Sequence, residues 1–122
     1  MVSALFDTNI LIDYLNGVGQ AKTELDRYAD KAISLITWME VMVGATPETE
    51  EILRGFLGGF VNLPINEQVS DAAVALRKKH KIKLPDAIVW ASAQVDRRIL
   101  VTRNTKDFSR DEPGVRVPYQ IK

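Results

Sequence analysis

Four carboxylates stand where the chain changes from one kind of element to another: Asp7, Glu40, Asp86 and Asp107. Side chains of this type, brought into one cleft, do one kind of chemistry well. Hard divalent ions such as Mg2+ and Mn2+ prefer oxygen ligands, usually one or two carboxylates with water completing the shell. Acids crowded together raise each other's pKa and need a cation to stay ionised. One bound ion turns water into a nucleophile, and two also stabilise the leaving oxygen when a phosphodiester is cleaved. Each acid also has a plain structural explanation. Asp7 suits a helix cap, Glu40 a capping box, Asp86 a favourable charge at a helix start, and Asp107 a solvated loop. With sixteen acidic residues in the chain, the four positions alone leave both readings open.

The elements that must position them can be traced in order. Val2 to Phe6 is a short apolar run suited to a buried strand, and Asp7 ends it. Thr8 or Asn9 then caps a helix carrying Ile10, Leu11, Tyr14 and Leu15. Ala21, Leu25 and Tyr28 form a second helical stripe, and residues 32–36 read as a second strand. Thr37 with Glu40 three residues on fits a capping box, which puts Glu40 in the first turn of the next helix. Thr46 and Pro47 suit the start of a helix whose apolar face is Ile52, Leu53, Phe56, Leu57 and Phe60. A third strand covers residues 60–63. Asn66 caps a long helix with Val69, Ala72, Ala73 and Leu76 inward and basic residues from Arg77 to Lys83 at its far end, where they complement the helix dipole. Pro85 opens a helix through Val95 that is apolar nearly all round. Residues 99–102 and 115–117 read as the last two strands, with a polar loop from Asn104 to Gly114. Strands alternating with helices predict a parallel sheet covered on both faces. The turns after its strands emerge on one rim, where ligands bind in open α/β folds, and Asp7, Glu40 and Asp107 should share it.

The totals narrow the classes. A chain of 122 residues is long enough for one domain with a real core and too short for two. Sixteen basic side chains cancel sixteen acidic ones, so affinity for a polyanion has to come from a local patch. The chain has no cysteine, which excludes a disulfide framework, a thiolate zinc site and a cysteine nucleophile, and fits a cytoplasmic setting. No apolar stretch approaches the roughly 20 residues of a membrane span, and no signal peptide is recognisable. No Gly-x-Gly-x-x-Gly follows the first strand, so a dinucleotide fold is excluded.

Four segments carry a resemblance. Phe6-Asp7-Thr8-Asn9-Ile10-Leu11-Ile12-Asp13, Trp38-Met39-Glu40-Val41, Leu84-Pro85-Asp86-Ala87-Ile88-Val89-Trp90-Ala91-Ser92-Ala93 and Leu100-Val101-Thr102-Arg103-Asn104-Thr105-Lys106-Asp107-Phe108, in that order, closely resemble the PIN domain. Among PIN proteins they look most like the VapC-type toxins of toxin–antitoxin pairs. The resemblance implies a three-layer α/β/α sandwich with a four- or five-stranded parallel sheet. It also implies a Mg2+- or Mn2+-dependent endoribonuclease, a homodimer, and silencing by a small antitoxin protein in a hetero-oligomer. Asp7, Glu40 and Asp86 match the three core acids of that family, and Asp107 the more variable fourth. Asn104 stands where many relatives carry an acid, which leaves its division of labour with Asp107 open. Thr8 and Thr102 match supporting hydroxyl positions.

Two basic groups are candidates for contacting RNA: Arg103, Lys106 and Arg110 in the last loop, and the run from Lys78 to Lys83. His80, the one histidine, reads as a solvated member of that run, and Tyr14 and Trp38 as core. The competing functions are a structure-specific or DNA-directed nuclease on the same fold, since carboxylate-held metal does not choose between sugars, and a catalytically silent PIN-fold binding module.

Overall fold

The structure is a computed structural model describing residues 2–121. In chain order its elements are β1 (Ser3–Phe6), α1 (Thr8–Leu15), α2 (Gly19–Asp26), β2 (Asp30–Ser34), α3 (Leu35–Val43), α4 (Glu50–Leu57), β3 (Val61–Leu63), α5 (Glu67–His80), α6 (Leu84–Val95), β4 (Ile99–Val101) and β5 (Val115–Arg116). The five strands form one sheet in the order β3-β2-β1-β4-β5, with every neighbouring pair parallel. The expected parallel α/β architecture is therefore what the chain adopts. Successive strands step outward from β1 to β3, and the chain then crosses back to lay β4 on the other side of β1. That reversal falls at the carboxyl ends of β1 and β4, the usual ligand position in such sheets.

Strand alternation divides the core in two. Leu5 and Leu100 face the side covered by α5 and α6, where they join Val69, Ala73, Val89 and Trp90. Ala4, Phe6, Ile33 and Val101 face the other side, with Ile10 and Leu11 of α1, Ala21 and Leu25 of α2, and Leu57 of α4. Phe6 is fully buried between Tyr28 and Phe60, meeting both rings edge-on at centroid distances of 5.7 and 6.2 Å. No helix among the described residues is long and apolar enough to cross a membrane.

Three element starts differ from the sequence reading. The cap of α1 is Asp7 itself, whose side chain accepts from the Thr8 N–H, rather than Thr8 or Asn9. Helix α3 begins two residues before Thr37, because the Ser34 hydroxyl caps it by accepting from Ile36 N–H at 3.3 Å. The apolar residues Leu35 and Ile36 suit a buried strand as well as a helix, and the capping serine decides between them. Glu40 consequently lies in the second turn of α3. Helix α4 starts at Glu50 with Thr49 as N-cap, since Thr46 and Thr49 bond to each other in a turn that holds Pro47 outside the helix. Within its expected apolar face, Ile52 is 71% exposed. The cap expected at Asn66 is present, with Asn66 Oδ1 accepting from Val69 N–H at 2.9 Å.

Candidate active site

Asp7 leaves the sheet at its switch point. Its backbone N–H still bonds to Val101 O at 2.9 Å, so the carboxylate is carried on the last rung between β1 and β4. The side chain is only 6% exposed. Its Oδ1 accepts from Thr8 N–H at 2.8 Å, and its Oδ2 from Thr102 Oγ1 at 2.8 Å and Asn9 Nδ2 at 3.1 Å. Three of the roughly four lone-pair positions of a carboxylate are thereby filled, leaving one on Oδ1. Burial pushes the Asp7 carboxyl above its ordinary value. The Thr102 and Thr8 bonds oppose this, the Glu40 charge adds to it, and the Asn9 bond opposes it again.

The other acids approach from separate elements. Glu40, exposed on α3, accepts from the Thr8 hydroxyl at 2.7 Å, and the buried Thr37 hydroxyl lies 3.1 Å from the same oxygen of Thr8. Asp86 is half-buried in the first turn of α6. Its carboxyl is pushed up to about 7 by burial first, then by a hydrogen bond shared with Asp107 and by the charges of Asp7 and Asp107. Asp107 moves down, held there by Asp86 and by Asn104, whose Nδ2 donates to Asp107 Oδ2 at 3.1 Å. Asn104 Oδ1 in turn accepts from the backbone N–H of Lys106 and of Asp107, both at 3.2 Å. Asn104 thus folds the loop and supports Asp107.

The acids meet pairwise: Asp7 with Glu40, Asp7 with Asp86, and Asp86 with Asp107. Among the described residues, no three acidic or histidine side chains are gathered closely enough to hold an ion as they stand. This corrects the expectation of a ready-made cluster. Each acid is held by a neighbour on its own side of the site, Glu40 by Thr8 and Asp107 by Asn104. The donor chemistry still suits a hard divalent cation, being all oxygen with negative charge to spare. Thr8, Thr102 and Asn104 all touch an acid of the group.

Sequence reasoning missed two residues. Asn9 was read as a possible cap, but it bonds to Asp7 and to Thr102 Oγ1 through Nδ2, and its Oδ1 accepts from Arg103 N–H at 3.1 Å. Its position two residues after the acid, in the first helical turn, was the available signal. Asp13, 6% exposed, accepts from Arg103 Nε at 2.6 Å, Arg103 Nη2 at 3.0 Å and Tyr119 Oη at 2.8 Å. Arg103 is therefore held by an ion pair behind the site, unlike Lys106 and Arg110 of the same expected RNA-contacting group.

The PIN domain model matches residues 4–111, a span that includes all four acids. This chain belongs to the PIN domain family. The PIN fold here superposes on a chain of a toxin-antitoxin complex from Klebsiella pneumoniae with a TM-score of 0.93 at 52% identity, covering 98% of this chain and 100% of that one. It also matches FitAcB from Neisseria gonorrhoeae, with a TM-score of 0.81 at 23% identity over 97% of this chain and 99% of that one. DNA-bound VapBC from Salmonella typhimurium gives 0.78 at 23% identity over 95% and 96%. The last two likenesses speak for the fold. No curated protein matches the sequence.

The raised Asp86 of this PIN domain has a consequence for stability. A carboxyl whose pKa is higher in the folded state than its ordinary 3.8 binds its proton more tightly when folded. Stability from it is present at low pH and is lost as pH rises, over the window from about 4 to about 7. In metal-free buffer, the thermal midpoint of the wild type relative to Asp86→Asn is expected to fall across that window and level off above it. A constant difference between the two proteins from pH 4 to pH 8 would show that Asp86 ionises normally.

Proposed function

We propose that this PIN domain is a Mg2+- or Mn2+-dependent endoribonuclease and the toxin of a toxin–antitoxin pair. The observation that carries the catalytic reading is the approach of carboxylates from separate elements to the sheet's switch point, where Asp7 and Glu40 both bond Thr8 and Asp107 lies beside Asp86. Asp7 and Asp86 would hold the cation, with Glu40 and Asp107 completing the set. The cation, when bound, supplies Lewis acidity toward the phosphodiester and the attacking water.

The protein's own groups do the rest. Thr8, Thr102 and Asn9 fix the orientation of the Asp7 and Glu40 carboxylates. Asp86 would lose its proton to solvent on serving as a cation ligand. Glu40 bonds Thr8 through Oε1, and its Oε2 has no partner among the described residues, which leaves an acceptor for a water at the rim.

Support for an antitoxin partner comes from the Klebsiella pneumoniae complex and from an open cleft of about 440 Å3 lined by Ile12, Leu15, Val41, Ile52 and Leu53 of α1, α3 and α4. An amphipathic helix fits such a groove.

The test compares matched single-stranded RNA and DNA with Mg2+, with Mn2+ and with EDTA. RNA cleavage that needs the cation is expected. Cleavage in EDTA would remove the metal reading, and equal cleavage of DNA would remove the ribonuclease reading.

A further inference from the structure

Two basic segments far apart in the chain meet at one cleft. Helix α5 ends at His80, and Lys81 turns the chain back with φ 56°. The loop after β4 brings Lys106 and Arg110 to face that turn. Between them lies a cleft of about 510 Å3 whose walls include His80, Lys81, Trp90, Lys106, Asp107 and Arg110. Asp107 belongs to the acidic site as well, so the cleft opens directly from it.

The basic side chains of the molecule fall into paired and unpaired groups, and the cations of this cleft belong to the second. Arg27, Arg54, Arg98, Arg103 and Arg116 are all within 4.0 Å of a carboxylate. Lys81, Lys106 and Arg110 are exposed, and among the described residues none of the three has such a partner. These three cations face the Asp107 and Glu112 carboxylates across the cleft, and Lys83 also lies close enough to act on Asp107. The cleft wall thus carries a small positive excess in a chain of zero net charge. Its floor is aromatic: the His80 ring lies 4.7 Å from Trp90, and Trp90 meets the fully buried Phe108 edge-on at 5.6 Å. Trp90 itself is 3% exposed, so the ring open to a ligand is His80.

We propose that this cleft holds the single-stranded RNA flanking the scissile phosphate, with Lys81, Lys106 and Arg110 on its phosphates and the His80 ring stacking on a base. Unpaired cations tracking a backbone, combined with a stacking ring, are how single strands are bound without sequence readout. The inference rests on the ribonuclease reading, and its test does not use cleavage.

A fluorescent single-stranded RNA is titrated with the full chain in EDTA, with anisotropy read across a salt series. The Lys106→Gln/Arg110→Gln protein is expected to bind roughly tenfold more weakly, with a log–log salt slope shallower by about 1.4, since each phosphate contact on a single strand contributes about 0.7. Lys22→Gln/Arg27→Gln removes the same charge at the far end of the molecule and is expected to bind as the wild type does. His80→Ala should weaken binding severalfold without changing the slope. Equal weakening by the two double variants, no weakening by either, or no RNA binding by the wild type in low salt would overturn the proposal. So would equal affinity for polyglutamate, which would assign the cleft to an acidic protein segment. If the expected binding pattern holds while RNA stays uncut with Mg2+, the cleft stands and the catalytic reading fails.

Discussion

Replacing Asp86 with Asn is expected to lower RNA hydrolysis more than about a hundredfold, because even residues one layer behind a metal ligand cost 10–100-fold when removed. The substitution keeps the size of the side chain and removes the charge that the cation would neutralise. It should not harm the fold. Asp86 is pushed up to about 7 by burial and by its acidic neighbours, so in metal-free buffer above neutral pH its negative charge opposes folding. The Asn protein is therefore expected to be at least as stable as the wild type at pH 8 while being nearly inactive. That combination separates a lost functional group from a damaged structure. Measuring cleavage with Mg2+ beside a thermal melt of the same preparation checks both halves. Activity within tenfold of the wild type would contradict the role assigned to Asp86.

Replacing Arg103 with Ala is expected to destabilise the chain by about 3 kcal/mol, toward the lower end of what removing one partner of a buried ion pair costs. Arg103 donates twice to Asp13, at 2.6 and 3.0 Å, and Asp13 is 6% exposed. Without the guanidinium, that carboxylate keeps only the Tyr119 hydroxyl at 2.8 Å. The thermal midpoint should fall by roughly 10–15 °C for a chain of this size. Adding Asp13→Asn to the same protein removes the stranded charge and should recover more than half of the loss. The pair also ties the loop carrying Asn104 and Asp107 to the helix that starts at Asp7, so cleavage should fall with stability in the single variant and return in part in the double. A loss under about 1 kcal/mol, typical of an exposed ion pair, would show that the pair is not structural.

The parts of this molecule that sequence made visible are those with local signals. The break from Val2–Phe6 to Asp7 is a change of period, and it located both the strand end and the acid at the sheet's rim. The Asn66 cap and the proline at the start of α6 were equally legible, because capping chemistry acts over three or four residues. Leu35 and Ile36 were misplaced since an apolar pair fits strand and helix alike, and Glu40 shifted by a turn with them. The Arg103 ion pair was hidden for a different reason. Its partner Asp13 lies 90 residues away, and nothing near Arg103 announces a buried carboxylate. The same distance hid the meeting of Lys81 with Lys106 and Arg110, which sequence placed in two separate groups. Asn9 lay in plain view, but its three bonds to Asp7, Thr102 and Arg103 depend on β4 lying beside β1.

Closure of acids from different elements around a cation is tested by calorimetric titration of Mn2+ into the metal-free protein near pH 6. Ligand carboxyls must lose their protons when metal binds. With Asp86 at about 7, the wild type is expected to release most of one proton per ion, read from the heats in two buffers of different ionisation enthalpy. The Asp86→Asn protein should bind more weakly and release fewer protons per ion. Binding without proton release, or with the same affinity in Asp86→Asn, would contradict it.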